Sequence, residues 1–189
     1  YDRFLELAHS NKEYTYEEAK ELFFHSISQF PQDFQDKAHE VLRDGFVDVM
    51  EKVGKRTGAY SSSVANLHPF ILLNFDHTLD SVFTVAHEAG HSIHSMYATQ
   101  TQPTMLQDYT IFVAEIASTF NEHTLLDYFL SLPDATKEEK IMVIQKAIDE
   151  IMSTFYRQTL FAEYEYLANH EVAKGNPINH QVLSQIMID

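Results

Sequence analysis

The chain contains 189 residues, of which 44% are hydrophobic, and this length and composition suit one globular domain. Its formal net charge of −15 argues against nucleic acid as a partner, because binding phosphates requires a basic face. The absence of cysteine excludes a disulfide framework and thiolate metal ligands, and no run approaches the roughly 20 apolar residues of a membrane span.

The amino-terminal third of the chain predicts two helices followed by a loop. Thr15-Tyr-Glu-Glu is a capping-box pattern, which predicts a helix through about Phe30. Pro31 is typical of the first turn of a second helix, which we expect to run to roughly Lys52. A flexible loop is predicted around glycines that precede a run of serines: Gly45, Gly54, Gly58 and Ser61–Ser63.

The remainder of the chain predicts one strand and a series of helices. Residues 68–75 are short, apolar and β-prone, which is typical of a strand. A helix should begin next, with Asp80 or Ser81 as its N-cap, and end before Pro103. Further helices are predicted over 108–130, 137–173 and 181–189.

The helix that begins near Asp80 carries His87-Glu88-Ala89-Gly90-His91, the HExxH signature of zinc proteases. Positions four residues apart lie about 40° apart around a helix and about 6 Å apart along it, so both imidazoles can bind one metal ion. Glu88 lies beside them, where it can hold and deprotonate a water molecule. Because HExxH also occurs by chance, its weight depends on a helical context and on a third ligand.

The context of the motif favours a helix. Apolar residues recur at helical spacing from Val82 to Tyr97, and the histidines follow a neighbouring stripe. Gly90 costs such a helix about 1 kcal/mol relative to alanine, and a glycine there often marks the close approach of another backbone or a ligand. His94 lies one turn beyond His91, too far along to converge easily on the same ion, so we expect it to be packed or hydrogen-bonded.

A catalytic zinc site usually has three protein ligands and keeps the fourth position for water. The predicted helix 108–130 is mostly apolar but carries a polar stripe: Asp108, Glu115, Thr119 and Glu122. One interpretation of this stripe is a solvated outer face. The other is that Glu115 binds the metal and Glu122 holds one of the other ligands in place. His123 could also bind metal, but it points away from the Glu115 face.

Segments spread along the chain form an ordered set of motifs: Lys55–Ser61, His68–Phe75, Phe83–Ser95, Ala114–Glu122 and Arg157–Glu165. Together they resemble the thimet-oligopeptidase-like zinc metallopeptidases, and most closely the oligoendopeptidases of that family. An ordered set of this kind is far more specific than HExxH alone. The resemblance implies a mainly α, zincin-like helical catalytic domain with a small β element next to the HExxH helix.

The resemblance also implies the roles of the site residues. His87, His91 and Glu115 would bind one Zn²⁺ per chain, and Glu88 would be the general base. The implied activity is the hydrolysis of short oligopeptides in a deep, narrow channel.

Four further residues are predicted to contact substrate. Gly58, Ala59 and Tyr60 lie in the segment that resembles the family's Gly-Ala-Tyr-Ser loop, and His68 begins the segment that resembles its strand beside the active site. Such a strand could pair with an extended peptide. The alternatives from the residues alone are an ordinary connecting loop and a surface histidine.

The resemblance covers residues 55–165, and two parts of the family pattern have no counterpart here. We therefore expect residues 1–189 to form a single, partial catalytic domain without the family's N-terminal helical region and C-terminal part. That C-terminal part supplies tyrosine and histidine side chains that stabilise negative charge on the attacked carbonyl. Losing a preorganised oxyanion donor costs about 10²–10³ in turnover, so we expect these residues alone to bind zinc but to cleave peptides poorly.

Two other functions would use the same ligands. A zinc exopeptidase is one, although an aminopeptidase would need an acidic anchor for the free amine, and no Gly-x-Met-Glu-Asn-like stretch occurs. A non-catalytic helical module with a structural zinc is the other, and Glu88 argues against it because metal binding does not require that residue. We expect oligopeptide substrates in the cytoplasm and no nucleic-acid or membrane partner; the sequence leaves the oligomeric state open.

Overall fold

The computed structural model describes residues 12–64 and 67–188. Of these, the residues up to Lys140 form one compact unit, which contains the predicted site, and those from Ile141 onward form a second. The elements of the first unit are α1 (Tyr16–Ser26), α2 (Gln32–Val41), β1 (Val47–Met50), β2 (Tyr60–Ser62), β3 (Phe70–Phe75), α3 (Leu79–Thr101) and α4 (Ile111–Ser131). The predicted mainly α architecture, with a small β element beside the HExxH helix, is confirmed.

Helix α1 begins at the predicted capping box. The Thr15 hydroxyl accepts the backbone N–H of Glu18, and the Glu18 carboxylate accepts the backbone N–H of Thr15 at 2.7 Å. Two donors that the first turn would leave unsatisfied are thus paired. The helix ends at Ser26 and buries Ala19 and Phe23 completely in the core of the first unit.

Helix α2 is much shorter than predicted, because it ends at Val41 and not near Lys52. Gly45 has a φ of +90°, a left-handed conformation that glycine adopts without strain and that a helix cannot contain. After this break, Val47 pairs in parallel with Ile71, so the segment that was predicted as the end of the helix is strand β1.

The sheet has the strand order β1-β3-β2, with β3 in the centre and β2 antiparallel to it. Part of the predicted flexible loop is therefore strand β2, in which Ser61 pairs with Ile71. The prediction missed this strand because its extended conformation depends on pairing with β3, and its own residues do not favour a strand strongly. Strand β3 alternates as a half-buried strand should, and its Ile71, Leu73 and Phe75 are all buried.

Helices α3 and α4 form the part of the unit that carries the motif. The N-cap of α3 is Thr78, whose hydroxyl accepts the N–H of Ser81, so the predicted caps Asp80 and Ser81 are wrong by two to three positions. Helix α4 begins at Ile111, with Thr110 at its N-cap, and not at Asp108. The buried stripe of α4 is Ala114, Ser118, Asn121, Leu125 and Phe129.

Residues 137–173 are helical, but they do not form the single α-helix that was predicted there. Helix α5 (Lys137–Glu150) continues through a π-helical segment (Ile151–Tyr156) into α6 (Arg157–Ala173). Gly175, with a φ of +82°, follows the end of α6 as predicted, and α7 spans His180–Ile188. In the described residues, no helix has the length and apolar character needed to cross a membrane, and the cytoplasmic location stays a prediction.

Candidate active site

Gly90 sits where α3 and α4 approach each other most closely. A Cβ at this position would lie 2.8 Å from the backbone oxygen of Ala117, 2.9 Å from Cα of Ser118 and 3.0 Å from Nδ2 of Asn121. Two of these three are backbone atoms that cannot move aside, so no side chain larger than hydrogen fits at this position. The expected close approach at Gly90 is confirmed, and it brings the face of α4 that carries Glu115 against the histidines of α3.

Three side chains from these helices converge on one point. Nε2 of His87 and Nε2 of His91 are 3.1 Å apart, and Oε2 of Glu115 lies 3.5 Å from the first and 3.7 Å from the second. A tetrahedral ion with bonds of about 2.0–2.1 Å spaces its ligand atoms roughly 3.3–3.4 Å apart. The spacing and the chemistry of these donor atoms therefore fit a zinc ion.

Each of the three side chains is held by a neighbour. Nδ1 of His87 donates to Oε1 of Glu122 at 2.5 Å, which leaves the lone pair of Nε2 free to face the metal position. The imidazole of His91 hydrogen-bonds to the backbone of Ala114. The hydroxyl of Ser118 donates to Oε2 of Glu115 at 2.7 Å. Residues of α4 therefore hold all three side chains in place.

The charges around His87 and His91 shift their pKa values in opposite directions. Burial by itself would lower the pKa of His87, but the hydrogen bond to Glu122 and the negative charges of Glu88 and Glu115 outweigh it and raise that pKa. Burial and the neighbouring charge of His87 lower the pKa of His91. One imidazole of the pair therefore stays neutral more readily than the other.

Glu88 is a buried carboxylate in the same cleft as the converging side chains of His87, His91 and Glu115. Its side chain is 5% exposed, the backbone N–H of Ser61 on β2 donates to its carboxylate, and its Oε2 has no hydrogen-bond partner among the described residues. Burial raises the pKa of Glu88 to about 7, although the charge of His87 and the bond from Ser61 oppose this shift. A buried acceptor without a partner is costly, and it fits a group that binds a water or substrate proton.

Hydrogen bonds hold strand β2 and the segment before it against α3 and β3. The hydroxyls of Ser61 and Ser92 lie 2.8 Å apart, which ties the strand to α3. The side-chain amide of Asn74 donates to the carbonyl oxygens of Arg56 and Gly58, at 2.8 and 2.7 Å, and so orders the approach to the strand. The sequence offered no signal for the role of Ser61, because its N–H reaches Glu88 only once β2 has paired with β3.

A cleft of about 710 Å³ opens over Glu88 and the converging ligands. Its other lining residues come from β2 and its flanks, from α3, from the connection into α4 and from the start of α4: Ala59, Tyr60, Ser61, Ser63, Val64, Ser95, Thr99, Thr104, Gln107, Asp108, Tyr109, Ile111 and Ala114. Two of the predicted substrate residues, Ala59 and Tyr60, are therefore in the cleft. Gly58 is not among the lining residues; its φ of +82° makes the turn before the strand.

His68 is also not brought to the cleft. Its ring stacks on Phe46 with the centroids 3.7 Å apart, and its Nε2 lies 3.2 Å from the carbonyl oxygen of Glu40. These contacts hold the side chain against α2 and the start of β1. The pattern of the sequence placed His68 correctly before the strand, but the direction of its side chain depends on the packing of α2.

Tyr109 lines the cleft and was not identified from the sequence. Its hydroxyl lies 2.6 Å from Oγ of Ser95 and 3.5 Å from the carbonyl oxygen of His91, and its ring stacks on His94 at 3.9 Å. His94 is thus packed against an aromatic ring and is not part of the set that converges on the metal position. Helical periodicity could not have identified Tyr109, because it precedes α4 and meets α3 only in the folded chain.

Comparison with known proteins places these features in a family context. Residues 12–188 match the family model described as Peptidase family M3. The chain is 37% identical over 175 residues to the oligopeptidase PepF of Bacillus subtilis, covering 93% of this chain and 26% of that protein. It is 34% identical over 186 residues to the chromosomal oligoendopeptidase F of Lactococcus lactis subsp. cremoris, covering 98% of this chain and 31% of that protein.

Solved structures agree with this comparison. A crystal structure from Chlamydophila abortus, described as a candidate peptidase, superposes with a TM-score of 0.77 at 42% identity and covers 95% of this chain and 30% of that one. A second, described as a candidate oligoendopeptidase F of Bacillus anthracis, gives a TM-score of 0.70 at 18% identity, which supports the fold alone. The chain spans about a quarter to a third of the length of the curated relatives it matches.

Proposed function

Because this chain belongs to peptidase family M3, we propose that it is part of a zinc-dependent endopeptidase that hydrolyses short oligopeptides. The observation that carries the proposal is the convergence of His87, His91 and Glu115 within 4.8 Å of one another, beside the buried carboxylate of Glu88. Two nitrogen donors, one oxygen donor and an adjacent general base are the parts that a catalytic zinc site needs.

His87, His91 and Glu115 would hold the metal ion. Zinc is the proposed metal because imidazole nitrogens suit it, the donor spacing is close to tetrahedral, and the chain has no thiolate to offer a softer ion. When bound, the ion supplies Lewis acidity, which polarises a carbonyl group and lowers the pKa of water. Glu122 keeps the proton of His87 on Nδ1 and so keeps Nε2 available as a donor atom.

Glu88 carries out the proton transfers of the proposed reaction. It accepts one proton from the attacking water as the water oxygen forms its bond to the carbonyl carbon of the peptide. It then returns the proton to the amide nitrogen, the C–N bond breaks, and the products are a carboxylic acid and an amine. A pKa raised by burial to about 7 suits a group that must both accept and release a proton near neutral pH.

The proposed substrate class rests on the cleft and on the names of the relatives. Relatives in Lactococcus lactis and in Borreliella burgdorferi are named as oligoendopeptidase F or its homologue. Among the described residues, β2 is an edge strand of the sheet, and its Tyr60 and Ser61 line the cleft. An extended peptide could pair with this edge. We infer that the substrate lies along β2 with one peptide bond above Glu88.

Replacing Glu88 with glutamine in the full-length protein tests the proposal. Bound zinc should be retained, because glutamine leaves the three ligands intact, whereas cleavage of an end-blocked, internally quenched peptide should fall by about 10²–10⁴-fold. Zinc content is measured by mass spectrometry and cleavage by fluorescence. Glu138→Gln, the same chemical change at an exposed position of α5, is the matched control and should behave as the parent.

Each alternative predicts a different result. Undiminished cleavage by Glu88→Gln would remove Glu88 as the base, and loss of zinc in that variant would make the residue a structural or ligand group. Cleavage of free peptides but not of end-blocked ones by the parent would point to an exopeptidase. Tightly held zinc with no cleavage of any peptide would point to a non-catalytic module.

A further inference from the structure

One end of the cleft is formed by a short segment that α3 holds in place. Nε2 of Gln107 donates to the carbonyl oxygens of Thr99 and Gln102, both at 3.3 Å, and the hydroxyl of Tyr109 lies 2.6 Å from Oγ of Ser95. Asp108 lies between these two anchored residues. Its position at the cleft wall is therefore fixed by its neighbours on both sides, while its own side chain is exposed.

Apart from two histidines, the charged side chains of the described cleft lining are all acidic. Its carboxylates are Glu88, Glu115 and Asp108, and none of its described residues is a lysine or an arginine. A bound divalent ion would balance the charges of Glu88 and Glu115, so Asp108 would leave the described lining of the loaded cleft with one uncompensated negative charge. The carboxylate of Asp108 forms no hydrogen bond or ion pair with a described residue, so it is available to a ligand.

We propose that Asp108 determines specificity by binding a cationic group of the peptide, either a lysine or arginine side chain or a free amino terminus. The proposal rests on the function proposed above and names the substrate class of that same cleft. The peptide would lie in the cleft between the buried Glu88 and the segment that contains Gln107 and Tyr109. Among the described lining residues, Asp108 is the carboxylate that the proposed metal centre does not use. A neutral cleft would not distinguish a cationic peptide from an isosteric neutral one, whereas this cleft should.

The experiment compares peptides that differ only in charge, using the full-length protein. End-blocked quenched peptides carry lysine or glutamine in turn at each position on either side of the cleaved bond, and a second series compares free with acetylated amino termini. For the position next to Asp108, the parent should show a higher kcat/KM for the cationic peptide. Asp108→Asn should reduce that ratio by about two- to fivefold, as expected for a partly exposed ion pair, and added salt should reduce it in the parent.

The matched control is Asp127→Asn. Asp127 is exposed on α4, is not among the cleft-lining residues, and its replacement changes the net charge by the same amount. The ratio should stay at the parental value in this variant. Equal changes in both variants would mean that long-range steering by net charge causes the preference, and would overturn the assignment to Asp108. No preference in either peptide series of the parent would also overturn it.

Binding measurements separate a failure of this inference from a failure of the proposed function. In a Glu88→Gln background, fluorescence anisotropy of labelled lysine and glutamine peptides gives the same ratio from Kd values without turnover. If the parent cleaves no peptide, the proposed function fails, but an anisotropy ratio that Asp108→Asn lowers still supports cation binding at Asp108. A ratio of one in the Glu88→Gln background contradicts the inference whether or not the parent is active.

Discussion

Replacing Gly90 with alanine should weaken metal binding more than it weakens the fold. The added Cβ would lie 2.8 Å from the carbonyl oxygen of Ala117, and ordinary contact begins at 3.4 Å, so α3 and α4 would have to separate by about 0.6 Å. Backbone atoms form two of the three contacts, so rotation of a side chain cannot relieve them. The separation moves Glu115 on α4 away from the two histidines on α3. It is larger than the variation of about 0.2 Å that zinc–ligand distances allow.

The two effects of Gly90→Ala differ in size. Overpacking costs about 1–3 kcal/mol, but alanine in place of glycine stabilises a helix by about 1 kcal/mol, so the free energy of unfolding should fall by only about 0–2 kcal/mol. Zinc affinity should fall by about 10–100-fold, the size of loss that displaced support of a metal site causes. Urea unfolding of the metal-free protein measures the first quantity, and competition with a chromophoric chelator measures the second.

Gln100→Ala, an exposed change on the same helix, serves as the control and should alter neither quantity by a measurable amount. Parental zinc affinity in Gly90→Ala would refute the reasoning, because it would mean that α3 and α4 tolerate the separation without moving Glu115. A large loss of stability together with unchanged zinc affinity would refute it equally.

Two further predictions concern the support of the site and the core. Glu122→Gln should reduce zinc affinity by about 10–100-fold, because Nδ1 of His87 loses a charged acceptor. The hydrogen bond and charge of Glu122 raise the pKa of His87, and a proton on that imidazole competes with the metal, so parental zinc affinity should fall as the pH drops through this raised pKa. In Glu122→Gln the fall should begin at a lower pH. Chelator competition across about pH 5.5–8 measures both curves. Leu125 on α4 is 0% exposed, and changing it to alanine should lower the free energy of unfolding by about 2–5 kcal/mol, as measured by urea denaturation. A loss below about 1 kcal/mol would contradict its place in the core.

The arrangement of His87 and His91 could be predicted from the sequence because local geometry determines it. His87 and His91 must share a face of any helix that contains them, and Gly90 between them signals a close neighbour. The capping box at Thr15 was predictable for the same reason, since its two hydrogen bonds join residues three apart. These features depend on the period of the helix and not on which other part of the chain packs against it.

The predictions that failed concern segments whose structure depends on a distant partner. Residues 47–50 were predicted as helix and residues 60–62 as loop, yet both are strands, because each completes its hydrogen bonds with β3. Their own residues carry too weak a preference to decide between these conformations, so pairing in the folded chain decides it. His68 is a similar case, since its ring faces Phe46 only because α2 ends early and the chain turns at Gly45.

By itself, then, the sequence determined that this protein has a helix with two imidazoles and a carboxylate on one side, an acidic stripe on a later helix, and a chain without thiolates. Tertiary structure alone decided that Glu115 reaches the histidines and that Ser61 of a short edge strand donates to Glu88. It also decided that Asp108 lies at the end of the cleft without a hydrogen-bond or ion-pair partner among the described residues. The physical reason is the separation along the chain of the residues that interact. Within one helix, hydrogen bonds and side-chain directions repeat every 3.6 residues. Contacts between α3, α4 and β2 form only after apolar surfaces far apart in the chain have been buried together.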